Sequence, residues 1–332
     1  LVLSGWMSAV WDPPEFRKEL IDAVAPDNPV FISRYTHGSG ANSKALELAG
    51  ITRDTPDPEG GHIKKDKNGD PTGEFVERAP SQLMRLIPPL PPMTDFEISR
   101  NLVEGTQLAV ASGLTTIHGA SMTGYEEIQR RKKLYDVGLL RIRINEMVRE
   151  DAAKKLGKPL NHNDKYYVRS VKAFADGALG SRGALFLEEY SDYPNYFGEP
   201  RQSEDQIAKS ATELLKLGVN MRIHCIGDGA NRAAINAYAS ALEATGTDPQ
   251  EARFALEHAQ IFTPEDVMRL KELGIVASVQ PLHATEDMHF AEARIGAERL
   301  KHAYNWRELL DLGVPVATGT DFSVSPYNPF YT

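Results

Sequence analysis

The chain has 332 residues, 41% of them hydrophobic, which is enough to bury a sizeable core in one large domain or two ordinary ones. Its net charge of −9, with no basic run longer than Arg130 to Lys133, argues against nucleic acid or an anionic membrane as partner and favours a small neutral or cationic molecule. Its single cysteine excludes an internal disulfide framework and fits a reducing, cytoplasmic location, and no apolar segment approaches the roughly 20 residues that span a bilayer.

The first 97 residues carry short, irregular elements. The sequence "NPVFISRYTH" is typical of a strand, "NSKALELAG" of a short helix, and "GGHIKKDKNGDPTGEF" of a hairpin that turns at Asn68 and Gly69. The segment "RLIPPLPPM" then predicts a stiff connector. We expect residues 1–97 to form an insertion packed near the mouth of the domain that follows.

From about residue 98 a helix-period segment, a glycine and a short apolar strand recur. The glycines stand where a left-handed residue ends a helix, and they are Gly113, Gly138, Gly218, Gly274 and Gly313. Two further strands, "YVRSVKAFADG" and "RFALEHAQ", bring the total to seven. Apolar strands separated by helices indicate a parallel sheet covered on both faces. We therefore predict an α/β fold in which residues 98–332 are strands two to eight of a TIM-type (β/α)8 barrel that lacks strand one.

Polar residues at the carboxyl ends of these strands are the candidates for chemistry, because active sites of such barrels lie there. A single histidine in this position is more often a hydrogen-bonded wall residue, but His224, His258 and Asp321 end three strands that face one mouth. Imidazole and carboxylate suit zinc and similar divalent ions, which lower the pKa of bound water to about 7. The set predicts metal-assisted hydrolysis, with Asp321 as general acid and base.

Lys172 lies within an apolar strand, where a charged amine is costly unless it is paired or neutralised. Its carbamate, formed with CO₂, would offer two oxygens that could bridge a pair of metal ions. The alternative is a lysine paired with Asp176, four residues later. Both interpretations remain open at the level of sequence.

A family resemblance rests on five segments in order. They are "GGHIKKDKNGDPTGEFVERA", "VKAFADGALGSRGALF", "MRIHCIGDGANRAA", "RFALEHAQIFTPEDVMRLKELGIVASVQPLH" and "ATGTDFSVSPYNPF". Together they resemble the amidohydrolase superfamily, in the branch that includes N-substituted formamide deformylase. The resemblance implies a metal-bound hydroxide that attacks a C–N or related bond. It assigns Lys172, His224, His258 and Asp321 as metal ligands from strands four, five, six and eight, and it also implies association into homo-oligomers.

Two features depart from that family. Its first strand carries an H-x-H pair, which this sequence lacks, and its barrel is joined to a small β-sandwich, whereas this chain stops eleven residues after Asp321. We expect an internal fragment of a longer polypeptide that is poorly soluble or metal-poor alone. The lysine suggests two metal ions, while the missing pair leaves one site unbuilt, so one or two ions are expected.

Other residues are candidates for substrate binding. His118 and His283, expected to end the second and seventh strands, could orient a carbonyl or amide group or be wall residues. His37 and Asn42 lie in a stretch resembling the branch's pocket-closing segment, although Asn42 could instead cap the following helix. Arg182 could bind an anionic group or pair with Glu188 or Glu189 on the surface.

The leading hypothesis is thus a hydrolase of a small non-peptide amide, formamide or cyclic amide. A lactonase, esterase or phosphotriesterase would use the same ligands. A binding protein derived from the barrel, without metal or catalysis, is the third alternative, for which the absent H-x-H pair is the relevant feature.

Overall fold

The computed structural model describes residues 2–4, 16–34, 38–77, 83, 85 and 92–331. The chain divides into two compact units. The first comprises Leu1–Leu90, Asp176–Arg201 and Thr285–Leu300, and the second comprises Pro91–Ala175, Gln202–Ala284 and Lys301–Thr332. The first unit therefore includes two later segments that the sequence did not single out. The placement of residues 1–97 as an insertion between two barrel strands stays a prediction.

The first unit contains a five-stranded mixed sheet in the order β1-β2-β3-β5-β4. Its strands are β1 (Val2–Ser4), β2 (Phe31–Arg34), β3 (Gly38–Ala41), β4 (Gly61–Lys65) and β5 (Pro71–Glu77). The helices α1 (Lys18–Asp22) and α2 (Ser43–Ala49) precede and follow β2 and β3. Strands β4 and β5 form the predicted hairpin, because the Asp66 carboxylate accepts from the backbone N–H groups of Asn68 and Asp70 and Gly69 takes a left-handed conformation.

The second unit is built on a parallel sheet in the order β13-β12-β11-β10-β9-β7-β6, with the short strand β8 antiparallel to β9. Its strands are β6 (Thr116–Thr123), β7 (Arg143–Val148), β8 (Leu160–His162), β9 (Tyr166–Phe174), β10 (Asn220–Cys225), β11 (Ala255–His258), β12 (Val276–Val279) and β13 (Val316–Thr318). The seven predicted parallel strands are confirmed. The sequence analysis missed β8.

Helices alternate with these strands. They are α3 (Asp95–Ala111), α4 (Tyr125–Asp136), α5 (Glu150–Leu156), α6 (Glu204–Lys216), α7 (Asp228–Thr245), α8 (Pro249–Ala252), α9 (Pro264–Glu272), α10 (Pro281–Asp287) and α12 (Trp306–Asp311), while α11 (Ala291–Leu300) belongs to the first unit. All five predicted helix-ending glycines have a positive φ, between 59° and 87°. Across the described residues, no helix is both long and apolar enough to cross a membrane.

The sheet of the second unit is open in the part of the chain that the structure describes. Among the described strands, β6 pairs only with β7, and β13 pairs only with β12. The α/β class and the run of parallel strands are confirmed, whereas closure into an eight-stranded barrel is not observed among these residues. The closed barrel remains a prediction.

Candidate metal centre

Strand register brings the predicted ligands of the central strands to one face. Across β9 and β10, Lys172 pairs with Arg222 and Phe174 pairs with His224, and residues paired across parallel strands point to the same side. The Phe174 and His224 rings lie 5.4 Å apart. Cys225 points the opposite way, because its Sγ contacts the carbonyl oxygen of Ala230 in α7. Lys172 and His224 therefore share the face of the sheet that points away from α7.

A β-bulge in β9 decides the orientation of Lys172. Tyr166 stacks on Tyr135 of α4, with ring centroids 5.6 Å apart, so it faces the helices. Strict alternation would place Lys172, six residues later, on that same side. The pairing with β7 shifts between Val168 and Ser170, leaving Arg169 as the extra residue. The bulge reverses the alternation and directs Lys172 toward the candidate centre.

The rings of His224 and His258, two of the predicted ligands, contact each other. Their ring centroids lie 4.3 Å apart at an interplanar angle of 66°, and both residues are buried. Register alone pairs His258 with Cys225, on the opposite face from His224. The left-handed backbone of His258, with φ 78°, ends the extended conformation and lets its ring reach His224. A non-glycine residue in that region costs about 1–3 kcal/mol and is held there by its surroundings.

Gln280 orients the His258 ring. The Nδ1 atom of His258 lies 2.7 Å from Gln280 Oε1, and an amide oxygen can only accept, so Nδ1 carries the proton. In the neutral ring this leaves the lone pair on Nε2, the atom that would face a metal ion. Hydrogen bonds of this kind fix the tautomer of ligating histidines. The sequence alone did not predict this role for Gln280.

Lys172 is buried, with its Nζ 4.6 Å from the centroid of the Phe174 ring. Burial lowers its pKa, while the carboxylates of Glu257 and Asp321 oppose that effect. A lowered pKa increases the fraction of neutral amine, the form that reacts with CO₂. As for the alternative partner, the Asp176 carboxylate accepts a hydrogen bond from the backbone N–H of Leu185 at 2.9 Å, within the first unit.

A partly buried ion pair that sequence reasoning missed lies on the same face. Arg222 donates to Glu257 at 3.1 Å, and Glu257 is in register with His224. The signal was available, since Arg222 precedes His224 by two residues in one strand and so shares its face. The charges of this pair also act on the pKa of His118, one of the predicted substrate residues. Desolvation and the Arg222 guanidinium lower the pKa of His118, and Glu257 opposes them.

Asp321 lies three residues after β13 and is half-buried. Its backbone is also left-handed, with φ 52°, and its carbonyl accepts from the N–H of Val324 at 2.8 Å. Its carboxylate is one of the charges that act on Lys172. Two of the predicted ligands, His258 and Asp321, therefore adopt sparsely populated backbone conformations, a feature that clusters at functional sites.

The donor set fits a divalent ion in kind, since two imidazoles and a carboxylate are groups that zinc or a similar ion accepts, and Lys172 would add oxygen donors only as its carbamate. Over the described residues, however, no group of three or more His, Cys, Asp or Glu side chains is arranged to hold a metal ion. The assembled part of the centre is thus the pair His224 and His258. The Asp321 carboxylate acts on Lys172 through its charge, which raises the pKa of the lysine against the effect of burial.

His283 does not end a strand as predicted, because β12 stops at Val279 and His283 lies in the first turn of α10. Pro281 begins that helix directly after the strand. The His283 ring stacks on His258, with centroids 5.8 Å apart and an interplanar angle of 18°. Burial lowers the pKa of His283 to about 4, so the ring is neutral at pH 7. The imidazoles of His224, His258 and His283 therefore form one row.

His118 stands apart from that row. It lies on β6 and its side chain is exposed. The ring contacts found in the described residues join His258 to His224 and His283 but do not include His118. Its role as a substrate contact stays a prediction.

The substrate residues predicted in the first unit have other roles or lie outside the description. Asn42 is fully buried and caps α2, accepting from the N–H groups of Ala45 and Val30 and donating to two carbonyls of the preceding loop, so its carboxamide is fully used and a substrate contact is not supported. Arg182 forms a two-pronged ion pair with Asp192 rather than with Glu188 or Glu189. His37 lies outside the described residues.

The chain resembles known proteins over its whole length. The model of the family described as "Amidohydrolase family" matches residues 1–332. "Putative amidohydrolase YtcJ" of Bacillus subtilis (strain 168) is 30% identical over 99% of this chain and 62% of its own length. "Protein LONG AFTER FAR-RED 3" of Arabidopsis thaliana is 32% identical over 99% of this chain and 58% of its own length.

A third relative is the N-substituted formamide deformylase of Arthrobacter pascens, 28% identical over 93% of this chain and 58% of its own length. Among solved structures, an uncharacterized metal-dependent hydrolase from Pyrococcus horikoshii OT3 superposes with a TM-score of 0.69 and 25% identity, covering 100% of this chain and 64% of that one. The chain thus spans about three fifths of the length of the relatives it matches.

Proposed function

The chain belongs to the amidohydrolase family, and from that premise we propose that it acts as a metal-dependent hydrolase on the C–N bond of a small non-peptide amide, formamide or cyclic amide. The observation that carries this proposal is the contact between His224 and His258, held on adjacent strands beside a buried lysine. The printed name of the Arthrobacter pascens relative supports a formamide-like substrate.

We assign Lys172, His224, His258 and Asp321 to hold the ion, zinc or a similar divalent metal, in one or two copies. Such an ion polarises a carbonyl and lowers the pKa of bound water to about 7. The Nδ1–H of His258 is held by Gln280, so Nε2 would be the nitrogen available to an ion. Lys172 would supply two oxygens once its neutral amine had added CO₂ and lost a proton, a reaction that its lowered pKa favours.

Asp321 is the group we assign to proton transfer. Its carboxylate would take a proton from the attacking water and deliver it to the leaving nitrogen, which converts a poor amide anion into a neutral amine. The residue lies three positions after the short strand β13 and has a left-handed backbone. Arg222 and Glu257 form the polar wall on the same face as Lys172 and His224.

The reaction class can be tested with matched substrates. We expect turnover of N-substituted formamides or lactams by metal-loaded protein that exceeds turnover of lactones and phosphotriesters of the same size. Activity on esters or phosphotriesters alone would replace the amide proposal by the lactonase, esterase or phosphotriesterase alternative.

The non-catalytic alternative is tested by metal analysis of the full-length protein purified without chelator, together with thermal unfolding of its Asp321→Ala variant. Near-stoichiometric metal and a changed melting temperature in the variant are expected for the enzyme. Metal far below one ion per chain, with unchanged stability, would favour a binding protein.

A further inference from the structure

His283 presents a polar atom that the protein itself leaves unpaired. Its Nε2 is buried and has no hydrogen-bond partner within the described part of the chain. Leaving such a group unsatisfied costs about 1–3 kcal/mol, so its persistence calls for a ligand or water that completes the pairing. The ring cannot swing away freely, because it stacks on His258 and sits in the first turn of α10.

The position of this nitrogen relates it to the candidate centre. His258 lies between two rings, with His224 at 4.3 Å and His283 at 5.8 Å between centroids. The hydrogen bond from Nδ1 to Gln280 holds His258 in place, and the backbone N–H of His283 donates to the carbonyl of Gln280 at 3.0 Å. One residue, Gln280, thus fixes both the tautomer of His258 and the start of the turn that carries His283.

We propose that Nε2–H of His283 donates a hydrogen bond to the carbonyl oxygen of an amide substrate, such as a formamide or lactam. The inference rests on the proposed function, because it places the substrate beside the His224 and His258 pair. A neutral imidazole has one N–H and one lone pair, and the tautomer protonated at Nε2 supplies the donor. The ring would then orient the carbonyl and stabilise the charge that develops on its oxygen.

The test compares binding of two formamides, one of which has a methyl group in place of the amide hydrogen. N-benzylformamide carries an N–H, whereas N-benzyl-N-methylformamide has none, and both carry the carbonyl oxygen. Calorimetry on the protein as purified measures Kd for each with wild type, His283→Phe and His283→Gln. The phenylalanine keeps the stacking ring and removes the donor, whereas the glutamine restores a donor.

We expect His283→Phe to weaken both ligands about tenfold, the effect of losing one neutral hydrogen bond, and His283→Gln to recover most of that loss. Metal content should equal that of wild type, because His283 is not among the proposed ligands. In turnover the phenylalanine variant should lower kcat more than it raises KM, since the bond strengthens as charge develops on the oxygen.

Three outcomes overturn the inference. These are no binding of either formamide to wild type, equal binding to wild type and His283→Phe, and a loss confined to N-benzylformamide, which would make Nε2 an acceptor for the substrate N–H. Failure of the proposed function is recognised separately. Binding that depends on His283 without any hydrolysis would retain the inference and reject the amidase activity.

Discussion

The centre and the edges of the parallel sheet differ in how firmly they hold candidate residues. Strand β11 is buried along its whole length and β10 along most of it, whereas β6 and β13 are largely exposed and each has one neighbouring strand among the described residues. Lys172, His224 and His258 come from the centre, and His118 and Asp321 come from the edges. The central side chains are fixed by register and packing on both sides, which the edge residues lack.

The contrast teaches that only part of the proposed centre is preorganised in the described chain. The imidazole pair is set by two hydrogen-bonded strands, by the left-handed turn at His258 and by Gln280. The carboxylate of Asp321 depends on a three-residue strand with one partner. Experiments that perturb the two regions separately therefore decide whether both belong to one site.

The largest effect is expected at the centre, from His224→Ala. Removing the His224 imidazole, which contacts His258, should release the metal. Turnover should fall by about four decades, as expected when the ion's stabilisation of the transition state is lost. Metal analysis and kcat/KM measure both consequences. Cys225→Ala is the matched control, because the neighbouring thiol faces α7 and its removal should leave metal bound. Metal retained at full occupancy in His224→Ala would refute the ligand assignment.

At the edge, Asp321→Asn should lower turnover by about two to four decades, the range for a lost general acid and base. The amide is isosteric, so the fold and the melting temperature should change little. The pH profile of kcat gives the decisive reading, since the variant should lose the limb that reports this carboxyl group. Near-normal turnover would confine the functional centre to the central strands.

Much of this architecture was predictable from sequence, because apolar periodicity and the five helix-ending glycines fixed the seven parallel strands. The hairpin at Asn68 and the cap at Asn42 followed from turn and capping chemistry. What periodicity could not show was any place where the backbone leaves its regular period. The bulge at Arg169, the left-handed turn at His258 and the early end of β12 each move a functional side chain, and none has a signature in single-residue patterns.

Long-range partners were equally hidden. The sequence suggested either an anionic ligand or a nearby glutamate for Arg182, but its partner is Asp192, which also pairs with Arg294 from a segment about a hundred residues away. Only the folded chain brings these together.

Hydrogen exchange tests the comparison directly. Amides of β10 and β11 should exchange at least about a hundredfold more slowly than those of β6 and β13, because edge strands open locally without unfolding the core. Mass spectrometry of peptides from the four strands provides the measurement. Equal protection across the sheet would show that the edges are covered in solution and would remove the contrast.

A smaller effect is expected from Gln280→Leu at the centre. Loss of the acceptor for His258 Nδ1–H should weaken metal affinity about ten- to a hundredfold, the usual cost of removing such an orienting partner. Gln280→Glu keeps an acceptor and serves as the control. Competition with a chelator measures the two affinities, and equal values for wild type and the leucine variant would argue against His258 as a ligand.

The smallest effect is on the stability of the contact that holds the end of the edge strand β6 to β7. The buried Glu146 of β7 accepts from Thr123 Oγ1 at the end of β6 at 2.7 Å and lies 3.4 Å from the Arg131 guanidinium. Burial raises the pKa of Glu146 above 4.5, and Arg131 and Thr123 oppose that shift. The folded state then binds more protons than the unfolded state above pH 4.5, so this group stabilises the fold below that pH and the contribution is lost as pH rises through the folded pKa.

Glu146→Gln should remove this dependence while retaining an acceptor for Thr123. Between pH 4.5 and 7 the free energy of unfolding of wild type should fall relative to that of the variant, because the raised pKa of Glu146 favours the folded state only while the carboxyl group is protonated. Urea unfolding across that range measures it, with Glu126→Gln on the exposed side of α4 as the control for losing a carboxylate. If the free energies of unfolding of wild type and Glu146→Gln changed in parallel with pH, the ionisation of this carboxyl group would not contribute to holding β6 on the sheet. Exposure would then be the remaining difference between the edge and the centre.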